Sequence, residues 1–200
     1  MLDQGLERPL TLVCAGPGFG KTTLVSSWLE ACSLPAAWLS LDEDDGDLTV
    51  FLHYLIAALQ AVADHEFTET LALLHSQQRR RSSFTTTLIN ELSRLPTRTI
   101  LVLDDYSAFS SGTVDSFLAD LVQHWPQPLR LILITRRNPP LPLPTLRARD
   151  RVVEIRSRHL RFSHEETRAY LDMALATIHD DSYVALLEQY SEGWIAGLKL

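Results

Sequence analysis

Between positions 14 and 23 the chain reads CAGPGFGKTT: three glycines within five positions, then a lysine and two threonines. Residues of these types at this spacing can hold a polyphosphate. The pattern required is Gly, four residues, then Gly-Lys-Ser/Thr. Here Ala15 takes the first position, Gly16, Pro17, Gly18 and Phe19 follow, and Gly20, Lys21 and Thr22 complete it, with Thr23 next. Glycines let the backbone bend at little steric cost, so that N–H groups converge on phosphate oxygens. A helix starting at the lysine adds its unpaired N–H groups and its dipole. Lys21 then reaches the β- and γ-phosphates, and the Thr22 hydroxyl ligates Mg2+. A dinucleotide fingerprint fits less well, because Lys21 stands where a third small residue belongs.

Two other stretches supply matching chemistry. TILVLDDY (99–106) is an apolar run followed by Asp104 and Asp105. An acidic residue at the end of a second buried strand orients Mg2+ and its water, and that strand edge is where open α/β sheets bind ligands. Asp104 is assigned to the metal shell and Asp105 to polarising the attacking water. Asp105 is one methylene shorter than a glutamate, which predicts slow turnover. LRLILIT (129–135) ends in Thr135-Arg136-Arg137. Where such a strand lies between the other two, its end sits beside the γ-phosphate. Arg136, ahead of Arg137, is the candidate to sense that phosphate or stabilise charge in transfer. Lys21, Asp105 and Arg136 form the candidate catalytic set.

The elements that must position these residues show in the hydrophobic pattern. LTLVCA (10–15), AAWLSL (36–41), TILVLD (99–104) and LRLILIT (129–135) are apolar nearly throughout, as strands covered on both faces are, and RVVEI (151–155) is a weaker fifth. Between them KTTLVSSWLEAC, TVFLHYLIAALQAVA, TTTLINELSRL and TVDSFLADLVQHW carry helical spacing. The alternation predicts an α/β fold with a parallel five-stranded sheet covered by helices on both faces. Beyond about residue 158 the strands stop. FSHEETRAYLDMALA opens with a capping box, Ser163 to Glu166, and DSYVALLEQYSEG is a second helix ended or turned by Gly193. The expected division is a nucleotide-binding core over 1–157 and a small helical subdomain over 158–200. The closing WIAGLKL has the look of another helix beginning, so a piece of a longer protein is expected.

With 46% apolar and 22% charged residues, the 200-residue chain supports a sizeable core rather than disorder. Its formal net charge of −7 argues against broad attraction to nucleic acid or an anionic membrane. No apolar run approaches the ~18 residues that span a bilayer, and MLDQGLERPL lacks a signal-peptide pattern. A soluble, cytoplasmic protein without membrane contact is the expectation. Cys14 and Cys32 lack metal-type spacing and are expected to be reduced core residues.

Other features have plain readings. DEDDGD (42–47) fails the EF-hand pattern, since Leu41 and Leu52 fall on ligand positions, and is expected to be a solvated loop leading into a helix. RRR (79–81) is an exposed linker between helices. RNPPLPLP (137–144) is a stiff loop crossing the ligand edge of the sheet rather than a polyproline ligand. The four tryptophans, Trp28, Trp38, Trp125 and Trp194, are core or boundary residues.

The stretches AGPGFGKTTLVSSW, AAWLSLDEDDGDLTVFLHYLIAALQ, LVLDDYSAF, LILITRRNPPLPLPTLRARDRVVEI, HLRFSHEET and SEGWIAGLKL run through nearly the whole chain. In that order they resemble the ATPase module of the large, MalT-like ATP-binding LuxR-type transcriptional regulators, within the STAND class of P-loop signal-transduction NTPases. The resemblance implies that Gly16 to Thr23 bind ATP or ADP, that Asp104 and Asp105 are the second acidic motif with Mg2+, and that Arg136 senses phosphate. Related NTPases carry a Gly-x-Pro element near the base. Here Gly193 is followed by Trp194 and Ile195, without the proline. Also implied is a switch in which ADP holds a resting monomer, while inducer and ATP favour self-association and transcription activation. The small-molecule inducer and DNA would be met by regions outside this chain. The alternative is a P-loop small-molecule kinase, with Arg147, Arg149 and Arg151 as its candidate lid.

Overall fold

A computed structural model of the chain describes residues 1–42, 46–76, 81–106, 112–175, 181–191 and 194. Strands β1 (Leu10–Cys14), β2 (Ala36–Ser40), β3 (Thr99–Asp104), β4 (Leu129–Thr135) and β5 (Val152–Arg156) form one sheet, each within a residue of its expected limits. The order is β2-β3-β4-β1-β5, and every pairing is parallel. β1, β3 and β4 are buried along their whole length, which is why their sequences are apolar without alternation. β5 is an edge strand in which Ile155 alone is buried, hence its weaker signal.

Successive side chains of a strand point to opposite faces, and here the two faces differ in chemistry. Val13, Ile100, Val102, Ile132 and Ile134, all β-branched, meet α1 (Leu2–Gly5) and α2 (Lys21–Glu30) through Leu2, Val25 and Trp28. Leu12, Leu101, Leu103, Leu131 and Leu133 face the opposite way. They pack with Phe51 and Leu55 of α3 (Leu48–Gln60), Leu88 of α5 (Arg81–Leu92) and Phe117 of α6 (Gly112–Gln123). Helices therefore cover both faces. Cys14 and Cys32 belong to opposite clusters and both are free thiols.

Helix starts follow local chemistry. Asp47 caps α3, its carboxylate accepting from Thr49 N and Val50 N at 2.8 and 3.1 Å. That accords with a loop leading into a helix, although Glu43, Asp44 and Asp45 lie outside the described residues. Arg81 opens α5, while Arg79 and Arg80 of the basic run lie outside them too. α4 (Thr68–His75) has no side-chain cap of its own; Phe67 precedes it at φ 53°. The proline-rich stretch runs into α7 (Leu143–Ala148), entered through Pro142 with Pro144 in its first turn, and Leu141 and Leu143 are buried.

After β5 come α8 (Ser157–Leu160), α9 (His164–Leu175) and α10 (Asp181–Ser191). The capping box before α9 forms as expected: Ser163 N donates to Glu166 Oε2 at 2.8 Å, and Glu166 N donates to Ser163 Oγ at 3.2 Å. Among the described residues, no helix is long and apolar enough to cross a membrane.

Candidate functional site

β1 ends at Cys14, and the next amide, Ala15 N, donates to the Thr135 carbonyl of β4 at 3.3 Å. The loop from Ala15 to Gly20 then turns through two left-handed residues, Gly18 (φ 74°) and Gly20 (φ 70°). Residues with a Cβ take that conformation at a cost, which is why glycines stand there. Lys21 is the first residue of α2 and only 8% exposed. Its Nζ donates to the Gly16 carbonyl at 2.8 Å, so the ammonium is folded over the loop. Burial lowers the Lys21 pKa; the nearby carboxylates of Asp105 and Asp104 act against that, while the Arg136 guanidinium adds to it. A desolvated ammonium at the head of a helix favours an anionic ligand.

β3 brings Asp104, 6% exposed, against the same helix. Thr22 Oγ1 donates to Asp104 Oδ1 at 3.3 Å, and Asp105 N donates to the same oxygen at 2.8 Å. Burial raises the Asp104 pKa, and these two hydrogen bonds hold it back. Two hard oxygens so close suit Mg2+, which takes one or two protein oxygens and completes its octahedron with phosphate and water.

Asp105 itself is left-handed at φ 54°, an uncommon state for a residue with a Cβ. It turns the chain out of β3, and Arg136 Nη2 lies 3.2 Å from its Oδ1. Tyr106 N donates to the Ile134 carbonyl at 3.0 Å, and the buried Tyr106 hydroxyl bonds Asp115 of α6. Because β4 lies between β1 and β3, Arg136 emerges beside both loops. The fold thus gathers Lys21, Thr22, Asp104, Asp105 and Arg136, drawn from three strand ends, at one edge of the sheet.

Beside the loop opens a cavity of about 580 Å3. Phe19, Thr23, Leu24 and Trp28 line it on the α2 side, and His159, Leu160 and Phe162 line it from α8 and the turn beyond. Residues 159–162 have no local pattern that marks a cavity wall; only their proximity to α2 makes them one. The other omission is Trp194, whose indole Nε1 donates to the Pro17 carbonyl at 2.9 Å. Its neighbours Gly193 and Ile195 lie outside the described residues. Of the kinase-type arginines, Arg147 pairs with Glu154 of β5 at 2.6 Å, and the backbone carbonyl of Arg151 accepts from Leu10 N at the opening of β1. That is the opposite edge of the sheet, roughly 13 Å away along a five-residue strand.

A sheet of this order, with the Gly-Lys-Thr loop after β1 and the acidic pair after β3, defines a P-loop NTPase fold. Solved structures agree on the fold. Cdc6p from Pyrobaculum aerophilum aligns with a TM-score of 0.52 at 15% identity, covering 86% of this chain and 44% of that one. The Walker-type ATPase paby2304 of Pyrococcus abyssi aligns with 0.52 at 17% identity, covering 99% and 64%. In sequence, the chain is similar to the HTH-type transcriptional regulator MalT of Serratia proteamaculans, 35% identical over 192 residues, which is 96% of this chain and 21% of that protein. The Yersinia pestis MalT is 32% identical over all 200 residues, 22% of its length. The chain is accordingly a P-loop domain similar in sequence to part of the MalT proteins, and it spans about a fifth of the length of the curated relatives it matches. No protein-family model matches it.

Proposed function

We propose that the chain binds ATP and ADP with Mg2+, hydrolyses ATP slowly, and serves as the nucleotide-dependent switch of a STAND-type transcriptional regulator. The observation that carries this is the grouping of Lys21, the Thr22–Asp104 pair at 3.3 Å and the Arg136–Asp105 pair at 3.2 Å around one loop. In this reading the core is residues 1–157 and the helical subdomain 158–200.

Each side chain then has a distinct task. Gly16 to Thr23 wrap the phosphates with the backbone N–H groups of every residue but Pro17, and Lys21 leaves the Gly16 carbonyl for the β- and γ-phosphate oxygens. Thr22 and Asp104 would hold Mg2+, which when bound would neutralise phosphate charge. The base and ribose enter the cavity between Phe19, Trp28 and Phe162. Arg136 exchanges the Asp105 carboxylate for the γ-phosphate, and the freed Asp105 orients the attacking water. ADP offers Arg136 no γ-phosphate, so the two nucleotides favour different arrangements of one strand end, as a switch requires.

Self-association and transcription activation follow in the whole regulator, with inducer and DNA recognised by regions outside this chain. The acidic balance of −7 supports assigning DNA contact elsewhere. Mass analysis of nucleotide released from the purified, denatured chain, together with calorimetry against ADP and ATP, tests the proposal. Absence of both co-purified and titrated nucleotide in well-folded material overturns it.

A further inference from the structure

We infer that Trp194 is a positioning residue for the phosphate loop: its indole N–H, fixed on the Pro17 carbonyl, aims the next backbone amide at the phosphates and ties the helical end of the chain to nucleotide binding. The inference rests on the proposed nucleotide-binding reading of that loop.

The physical basis is the peptide plane. In a trans peptide the C=O and the following N–H point in opposite directions. The Pro17 carbonyl and the Gly18 N–H belong to one such plane, so a donor holding the carbonyl outward holds the amide inward. Trp194 Nε1 is that donor, at 2.9 Å. Proline makes the arrangement stricter. Its ring fixes φ near −65° and removes its own N–H, so Gly18 supplies the first amide after Gly16 that can donate. With φ of Pro17 locked by the ring, its ψ alone aims the Gly18 amide, and the bond from Trp194 sets that ψ. Gly18 at φ 74° accepts the resulting turn. The preceding carbonyl, Gly16, is held separately by Lys21 Nζ at 2.8 Å.

The other end of Trp194 is anchored as well. Its backbone N donates to the Ser191 carbonyl, the last residue of α10, at 2.8 Å. A continuous path of two hydrogen bonds therefore joins the end of α10 to the phosphate loop, across 177 positions of sequence. Rearrangement of the helical end alters the aim of the Gly18 amide, and occupation of the loop by phosphate stabilises the docked position of Trp194.

Trp194→Phe keeps the ring and removes the donor. We expect calorimetry on this chain to show about fivefold weaker binding of both ADP and inorganic tripolyphosphate, the size of one hydrogen bond, with the ligand-free melting temperature nearly unchanged. Tripolyphosphate has no base. Weaker ADP binding with unchanged tripolyphosphate binding places Trp194 at the base and overturns the inference, and unchanged affinity for both does so too. If the unaltered chain binds neither ligand, the nucleotide reading itself falls and this coupling with it. A second measurement needs no substitution: the Trp194 indole N–H resonance is expected to shift on adding tripolyphosphate while those of Trp38 and Trp125 stay in place, and an unmoved signal overturns the inference.

Discussion

Arg136 Nη2 lies 3.2 Å from Asp105 Oδ1, joining the ends of β4 and β3 across the mouth of the phosphate loop. The two side chains are 51% and 46% exposed, so the pair adds little to folding stability. A contact that costs little to break is suited to exchange with a phosphate. Arg136→Ala is therefore expected to weaken ATP binding by about tenfold, the scale of a charge-assisted hydrogen bond, while ADP binding stays near its original value. Parallel titrations check this, and an equal loss for both nucleotides removes Arg136 from γ-phosphate sensing.

Asp105→Asn keeps the shape of the turn and removes the carboxylate. ATP turnover should fall about a hundredfold, the typical contribution of a positioned base, with ADP affinity nearly intact. Steady-state hydrolysis beside calorimetry separates the two quantities. A matched loss of both reassigns Asp105 to the metal.

Nucleotide with Mg2+ should stabilise the chain by about 2.7 kcal/mol at a hundredfold excess over Kd, a rise of roughly 5–10 °C in melting temperature for a domain of this size. Lys21→Ala should largely abolish that rise. A full shift in the variant would move the nucleotide to some other place.

Asp104 links affinity to pH. Burial raises its folded-state pKa above that of the unfolded chain, so the folded state holds the extra proton between those two values. Ligand-free stability therefore falls as pH rises through that window, and at neutral pH the whole cost of the buried charge is present. Mg2+ needs the carboxylate ionised, so the Mg2+-dependent part of nucleotide binding should fade, on acidification, at a higher pH than an ordinary aspartate would give. Asp104→Asn should raise the ligand-free melting temperature at neutral pH and remove the Mg2+ increment. Thermal melts with and without Mg2+ across a pH series test both parts; a lower ligand-free midpoint in the variant contradicts the assignment.

Glu91 offers a stability test remote from the site. It is 1% exposed, and its carboxylate accepts from Glu69 N at 3.1 Å, from Thr70 N at 2.9 Å and from the Thr70 hydroxyl. It thus caps α4 from α5, supplying what Phe67 lacks. Glu91→Ala leaves three donors without that acceptor and should cost about 3 kcal/mol, read from the urea midpoint. Nucleotide affinity measured on the folded fraction should not change.

Much of this protein was legible one residue at a time. Continuous apolar runs mark β1, β3 and β4 because strands buried on both faces leave no room for polar side chains. The phosphate loop is legible because its chemistry is local: glycines for the left-handed turns, Lys21 and Thr22 at fixed offsets on one helix end. Asp104 follows from the same logic at a strand end. Short or edge elements were not so plain. α4 has no capping side chain within its own sequence, since its cap lies on α5 more than twenty positions later.

The remaining facts belong to the tertiary structure. Strand order alone inserts β4 between β1 and β3, and only then do Arg136 and Asp105 meet. Residues 159–162 become a cavity wall because α8 returns beside α2. Trp194 reaches Pro17 across most of the chain. Local composition sets which residues can donate, accept or bend. Which of them face one another depends on how the sheet and helices close around two cores, and no short stretch of sequence contains that.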